Sequence, residues 1–339
     1  MARTRVLIVD DSSTMRALIR HALSGDPAIE IVGEAPDPAE ARQKIKLLDP
    51  DVVTLDIEMP GMNGLEFLEK IMRLRPTPVI MVSTLTQPGA DATISALEIG
   101  AFDCVGKPGR EGGDTLARLP ELVRQAHAAR GVISSGGARI AAPKRAETFA
   151  NKSRWPDLVA IGSSTGGVEA LLQLLPRFPA DTPPVLIVQH LPATFTASFA
   201  ARLDRACPAK VVVPKSGETI ARGHVYLAPG GQHLSVRRLG GSLACALRED
   251  DPVQGHRPSV DVMMNSVAEC ASGRAAGVIL TGMGRDGADG LLAMAKAGHR
   301  TLAQDEATSL VYGMPRVAWQ VGAAEKRVPL GRIADEIFA

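Results

Sequence analysis

The chain has 339 residues, more than one hydrophobic core usually organises, so two domains are expected. A formal net charge of +1 and an aromatic content of only 3% speak against a nucleic-acid module built on basic patches and stacked bases. The four cysteines (Cys104, Cys207, Cys245 and Cys270) form no CxxC pair, no apolar run reaches the length of a membrane span, and Met1–Arg5 carries no signal-peptide pattern. A cytoplasmic protein with reduced thiols is expected.

Two segments alternate apolar strand-like runs with amphipathic helical stretches, the pattern of a parallel sheet with crossover helices. The first begins at Arg5-Val-Leu-Ile-Val-Asp10 and continues to about Arg130. Four of its apolar runs end in polar groups: Val6–Val9 in Asp10-Asp11, Asp51–Leu55 in Asp56, Pro78–Val82 in Ser83-Thr84, and Phe102–Gly106 in Lys107-Pro108. In an open parallel sheet the strand carboxyl ends share one edge, where ligands bind. Asp10, Asp11, Asp56, Ser83 and Lys107 are therefore expected to converge there. Three clustered carboxylates repel one another unless a cation neutralises them, and oxygen-only ligands with room for water suit Mg²⁺. A lysine and a hydroxyl beside that cation suit the equatorial oxygens of a transferring phosphoryl group. Taken singly, Asp10 or Asp11 reads equally well as the N-cap of the next helix. Asp56-Ile-Glu58 alone also fits a phosphatase nucleophile, although such an enzyme does not need the acidic pair at the first strand.

Between the segments, Gly131-Val-Ile-Ser-Ser-Gly-Gly-Ala138 and Ala141-Ala-Pro-Lys-Arg145 predict a flexible linker with at most a marginal helix at its start. About 25 such residues have an r.m.s. span of roughly 25–30 Å, enough to let two domains dock or part. The expected boundaries are 1–125 for the first domain, 126–154 for the linker and 155–339 for the second domain.

The second segment opens with Asp157-Leu-Val-Ala-Ile-Gly162, followed by Ser163-Ser-Thr-Gly-Gly167 and a helix-like stretch. Gly162-x-Ser164-x-Gly166 fits a nucleophile elbow, in which small neighbours permit a sharp turn that exposes the serine. The same glycine-rich turn also fits a phosphate-binding helix N-terminus. A dinucleotide fingerprint, however, has glycine where Ser164 stands, and an acid where the next strand, Val185–Gln189, delivers His190. A third apolar run, Ala276–Leu280, opens into Thr281-Gly-Met-Gly-Arg-Asp286-Gly287. Separately, His190 reads as a loop-anchoring residue and Asp286 as a turn or N-cap aspartate. Together they bring a hydroxyl nucleophile, a general base and an orienting acid to one sheet edge. The order Ser…His…Asp differs from that of the α/β-hydrolase fold, which is therefore not expected. The glycines around Asp286 leave backbone N–H groups free to face an oxyanion. His256 sits in a polar loop and reads as a loop anchor. Met263, Met264, Met283 and Met294 read as core and cleft packing, and His224, His233, His256 and His299 lack metal-ligand spacing, so no metal is expected in this domain.

Asp56-Ile-Glu-Met-Pro-Gly-Met-Asn-Gly64, with Asp10-Asp11, Ser83 and Lys107-Pro108 in that order, resembles the response-regulator receivers over roughly the first 125 residues. The resemblance implies a flavodoxin-like fold and phosphoryl acceptance at Asp56. It also implies Mg²⁺ held by Asp11 and Asp56 with Asp10 assisting, and phosphoryl contacts from Ser83 and Lys107. Cys104 departs from the pattern, standing where many receivers carry an aromatic switch residue.

Ile161–Gly167, Gln189-His-Leu-Pro192, His224–Gly230, His256-Arg-Pro-Ser-Val-Asp261, Ile279–Gly287, Ala303–Ala307 and Gly313-Met-Pro315 resemble the catalytic domain of chemotaxis receptor methylesterases. That family implies a doubly wound, mostly parallel α/β domain that hydrolyses glutamyl methyl esters on receptor signalling helices, releasing methanol, with glutamine deamidation in some members. By the motif match Ser164 is the nucleophile, His190 the base and Asp286 its partner, with Thr165 and Met283 around the nucleophile and oxyanion. Arg285 stands where some relatives carry a neutral polar residue. Methyl-accepting chemoreceptors as substrates, a chemotaxis histidine kinase as phosphodonor, and an inhibitory contact of the receiver on the catalytic domain relieved at Asp56 all follow from the resemblance. No nucleic acid and no membrane insertion is expected. The rivals are a receiver-type transcription regulator, which lacks a basic recognition helix here, and a non-enzymatic scaffold.

Overall fold

Runs such as Val6–Val9 and Val79–Val82 carry apolar side chains on both faces, which only a sheet covered on both sides can bury. The computed structural model describes residues 3–59, 61–84, 86–108, 115–134 and 152–339, and divides them between two units, Met1–Gly137 and Ala138–Ala339. The first unit runs β1 (Thr4–Val9), α1 (Ser13–Ser24), β2 (Ile29–Ala35), α2 (Pro38–Leu48), β3 (Val52–Asp56), α3 (Gly64–Leu74), β4 (Val79–Ser83), α4 (Gln87–Ile99), β5 (Asp103–Gly106), α5 (Leu119–Ala128) and a short α6 (Arg130–Ser134). All its strand pairs are parallel, in the order β2-β1-β3-β4-β5. The chain steps from β1 out to β2 and returns to β3 on β1's other side, so a crevice opens at the strand carboxyl ends between β1 and β3. Polar caps start α1, α2 and α3: Ser12 accepts from the Met15 N–H, Asp37 from Glu40 and Asn63 from Glu66. The expected linker falls partly on residues 135–151, which lie outside the described residues.

The second unit contains β6 (Leu158–Ser163), α7 (Gly167–Leu174), β7 (Val185–Gln189), α8 (Ala193–Ala206), β8 (Lys210–Val212), β9 (His224–Leu227), β10 (His233–Leu239), β11 (Ser242–Arg248), α9 (Val260–Cys270), β12 (Ala275–Ile279), α10 (Ala288–Lys296), β13 (Arg300–Gln304), α11 (Met314–Gln320), β14 (Lys326–Val328) and α12 (Leu330–Phe338). Its main sheet has the order β14-β13-β12-β6-β7-β9-β8, again wholly parallel in its pairings. The chain leaves β6 on one side toward β7 and later returns to β12 on the other, which is the doubly wound arrangement expected. The antiparallel hairpin β10–β11 packs on α9, with the Ser266 hydroxyl accepting from the Val236 N–H. Met263, Met264 and Met294 are fully buried in the core between α9, α10 and the sheet, while Met283 is half-buried. Among the described residues no helix is long and apolar enough to cross a membrane.

Candidate active site and phosphoacceptor site

In the second unit Ser163 pairs with Gln189 in the β6–β7 ladder, so the next residues, Ser164 and His190, leave neighbouring strands side by side. The His190 N–H donates to Ser163 O at 3.1 Å. The Gln189 amide fastens both turns: its Nε2 donates to Ser164 O (2.8 Å) and to His190 O (3.2 Å), while its Oε1 accepts from the Ser163 hydroxyl at 2.6 Å. Ser164 N–H donates to Thr281 O at 3.1 Å, which binds the turn after β6 to the turn after β12. Two glycines make this possible. Gly166 has φ +79° as the cap of α7, and a Cβ on Gly282 would lie 2.8 Å from the Ser164 Cβ. Ser164 itself is 4% exposed.

Asp286 comes from the third adjoining strand and meets His190, with Nε2 to Oδ2 at 2.8 Å. The same carboxylate is received by the N-terminus of α9. Oδ1 accepts from the Ser259 hydroxyl (2.7 Å) and the Asp261 N–H (3.0 Å), and Oδ2 from the Val260 N–H (2.8 Å). Two bonds per oxygen and a helix N-terminus favour the anion. Burial pushes the Asp286 carboxyl up, but the His190 bond and charge, with the Asp261 and Val260 amides, prevail and hold it below its usual value. Asp261 is pushed the other way, to about 6, first by burial and then by the charges of Asp286 and Asp289; the Gly290 N–H at 2.8 Å only partly offsets this. Because Asp286 takes the His190 Nε2, the remaining ring nitrogen is Nδ1, which is buried and has no hydrogen-bond partner among the described residues. A neutral ring with its proton on Nε2 therefore offers a bare lone pair at Nδ1. Thr165 is buried, with its carbonyl accepting from the Thr281 hydroxyl at 3.0 Å, and Met283 directly follows Gly282 at the serine. Arg285 turns to Asp289 at 2.8 Å.

In the first unit the β1, β3, β4 and β5 ends bring all five expected groups to one edge. Carboxylate oxygens of Asp10, Asp11 and Asp56 lie within 4.8 Å of one another, Asp10 and Asp56 buried and Asp11 exposed. The Lys107 ammonium reaches Asp56 Oδ2 at 2.7 Å and Asp10 Oδ2 at 3.2 Å. Ser83, 2% exposed, ends β4 beside Asp56, and its carbonyl accepts from the Lys107 N–H at 2.7 Å. Burial pushes the Asp56 carboxyl up; the Lys107 bond pulls it down, the Asp10 charge pushes it up again, and the upward push prevails. Burial also works against the Lys107 ammonium, yet Asp56 and Asp10 outweigh it and raise its pKa. One lysine thus serves two buried carboxylates whose Oδ2 atoms have no other donor among the described residues. Cys104 lies within β5, opposite Met81 in the ladder.

Residues 159–337 match the family described as CheB methylesterase, and residues 6–115 match the response regulator receiver domain. The chain belongs to the CheB methylesterase family. A "Protein-glutamate methylesterase/protein-glutamine glutaminase 1" of Caulobacter vibrioides is 59% identical, covering 100% of this chain and 98% of that one. A "Protein-glutamate methylesterase/protein-glutamine glutaminase" of Rhizobium etli is 56% identical, covering 99% and 96%. The crystal structure of the Thermotoga maritima CheB methylesterase catalytic domain superposes with a TM-score of 0.52 at 36% identity, covering 53% of this chain and 96% of that domain.

Four residues at this CheB-family site escaped the reading of the sequence as chemistry: Gln189, His256, Ser259 and Asp261. Ser259 carried a signal, since a serine before an apolar helical run reads as an N-cap, and it does accept from the Val262 N–H. That its hydroxyl proton goes to Asp286 depends on the fold.

Proposed function

We propose that this chain is a phosphorylation-controlled serine hydrolase that removes methyl esters from glutamates on chemoreceptor signalling helices and deamidates receptor glutamines, in the cytoplasm. The observation that carries the reading is the His190–Asp286 bond beside Ser164 on the adjoining strand. Ser164 Oγ attacks the ester carbonyl while His190 Nδ1 takes its proton, and Asp286 stabilises the imidazolium through Nε2–H. The tetrahedral intermediate is stabilised from the Thr165 and Met283 side of the serine. Methanol leaves with the proton from His190. Water, deprotonated by the same nitrogen, then releases the glutamate and restores Ser164. With a glutamine substrate the leaving group is ammonia.

Asp56 is the proposed phosphoacceptor, with Ser83 and Lys107 as contacts to the phosphoryl oxygens. Asp10, Asp11 and Asp56 fit a hard divalent cation such as Mg²⁺, because their oxygens cluster and the buried pair is left with a single lysine. When bound, that cation supplies charge neutralisation for phosphoryl transfer. A chemotaxis histidine kinase is the proposed donor. Phosphorylation adds up to about two negative charges, and each tenfold of activation needs only about 1.4 kcal/mol of bias. We place the receiver at 1–125, the connection at 126–154 and the hydrolase at 155–339. Receiver inhibition of the hydrolase, relieved at Asp56, completes the proposal.

The test is methanol release from a methylated receptor signalling fragment by wild type and Ser164→Ala, with and without a small-molecule phosphodonor plus Mg²⁺. Release that needs Ser164 and rises with the phosphodonor is expected. No release from wild type under either condition would favour a non-enzymatic scaffold.

A further inference from the structure

A histidine tethered at Cβ and at Nε2 is still free to tilt about the line joining those two points, and Nδ1 lies off that line. The Asp286 bond alone therefore does not aim the nitrogen that is to receive the serine proton. The missing constraint comes from His256, whose ring lies flat against that of His190, with centroids 3.7 Å apart and an interplanar angle of 7°. This separation is van der Waals contact over a whole ring face.

His256 is presented by a rigid device. Val253 and His256 exchange both backbone hydrogen bonds, at 3.0 and 2.9 Å, across Gln254 (φ +53°) and Gly255 (φ +79°). Two central residues with positive φ define a tight primed turn. The strap from β11 to α9 that carries this turn is fastened along its length. Arg257 Nη1 donates to Glu249 O (2.8 Å) and Asp250 O (3.0 Å), and Arg257 O accepts from Gly231 N–H at 3.0 Å. His233 Nδ1 accepts from Ser259 N–H at 3.2 Å, and its Nε2 faces Asp251 O at 3.1 Å. The far end of the strap supplies the Ser259 hydroxyl and the Val260 and Asp261 amides that hold Asp286. One segment thus fixes the acid from one end and the ring of the base from the other.

We propose that His256 is a positioning residue, which sets the plane of the His190 imidazole by stacking and so keeps Nδ1 directed at Ser164. The inference rests on the hydrolase reading above, since without a proton to move there is nothing for the ring plane to control. His256 itself transfers no proton, so an apolar ring of similar shape can replace it whereas a flexible hydrogen-bonding chain cannot.

The experiment compares full-length wild type with His256→Phe, His256→Ala and His256→Gln. Steady-state methanol release is read together with ¹⁵N spectra of the His190 ring, and the Tm of each variant is recorded. For His256→Ala the expected result is a fall in kcat of about tenfold, equivalent to ~1.4 kcal/mol, with KM within about twofold, because a misaimed reacting group is penalised in the chemical step. His256→Phe is expected to restore most of kcat, and His256→Gln is not. The His190 ring should hold its proton on Nε2 in wild type and His256→Phe, and average between tautomers in His256→Ala. Rescue by Gln but not by Phe would assign His256 a polar role and overturn the proposal. So would a loss confined to KM, or a His256→Ala enzyme equal to wild type in both rate and spectrum. If wild type itself shows no Ser164-dependent release, the hydrolase reading fails. The ring spectra then still decide whether His256 orients His190.

Discussion

The two units treat buried aspartates in opposite ways. Asp286 accepts four hydrogen bonds, two on each oxygen, and sits on the N-terminus of α9, so its carboxyl is held below the ordinary value despite burial. Asp56 is equally buried, but takes one backbone N–H at 3.2 Å and a share of Lys107, and its carboxyl is pushed up. A fixed charge that orients a base has to be satisfied in advance. A site that exchanges a cation and a phosphoryl group has to keep acceptor capacity in reserve. With the roles proposed for them, the donors around a buried carboxylate, rather than its burial, separate an orienting acid from an acceptor of chemistry.

The largest expected effect tests the fixed charge. Asp286→Asn should lower kcat for ester hydrolysis by about 10⁴-fold, because an amide facing His190 favours the wrong tautomer. Phosphorylation of Asp56 in the same protein should proceed normally. A loss below about tenfold would mean that Asp286 does not orient the base.

The same exchange should have opposite signs for stability. Asp286→Asn leaves N–H donors of α9 without their anion and should destabilise the second unit by about 3 kcal/mol. Asp56→Asn relieves crowding of charge and should stabilise the first unit by about 1 kcal/mol in Mg²⁺-free buffer, while abolishing activation by a phosphodonor. Both tryptophans, Trp155 and Trp319, lie in the second unit, so urea melts followed by tryptophan fluorescence read that unit alone. Hydrogen exchange of β1 and β3 amides reads the first. Matching signs would end the comparison.

Mg²⁺ and pH should separate the units further. At about 100 times its Kd, Mg²⁺ should stabilise the first unit by about 2.7 kcal/mol and leave the tryptophan-reported melt unchanged. The folded Asp286 carboxyl lies below its unfolded value, so its contribution is present above the ordinary carboxylate range and is lost as pH falls through the depressed value. For Asp56 the folded value is raised, so its contribution is present below that range and is lost as pH rises through the raised value. Acidification should therefore weaken the second unit relative to the first, as read by the same two probes. The smallest effect concerns Asp261. Its carboxyl resonance should titrate near 6 in wild type and lower in Asp286→Asn, where one of the charges raising it is gone. An unmoved titration would leave burial and the Asp289 charge as the causes.

Much of both sites was legible because chemistry-bearing residues stand where apolar runs stop. Asp10, Asp56, Ser83 and Lys107 in one unit, and Ser164 and His190 in the other, each follow or close a strand, Asp286 stands in the loop that leaves β12, and parallel strands deliver their ends to a common edge. The three runs carrying Ser164, His190 and Asp286 are neighbours in space, in the order β12-β6-β7, although four strands intervene along the chain between β7 and β12. His256 read as a loop anchor because a loop histidine carries no periodicity, and its stacking on His190 joins residues 66 positions apart.

Local sequence determined the strands, the caps and the glycine turns, since apolar patterning, capping and positive φ act within a few residues. It also determined which side chains stand at the strand ends. The tertiary structure decided what those side chains bind: that His190 gives Nε2 to Asp286 and keeps Nδ1, that α9 rather than a lysine holds the acid, and that one strap steadies both. Hydrogen bonds, burial and ring contacts are set by distances of a few ångströms between residues far apart in the chain, and only the packed fold fixes those distances.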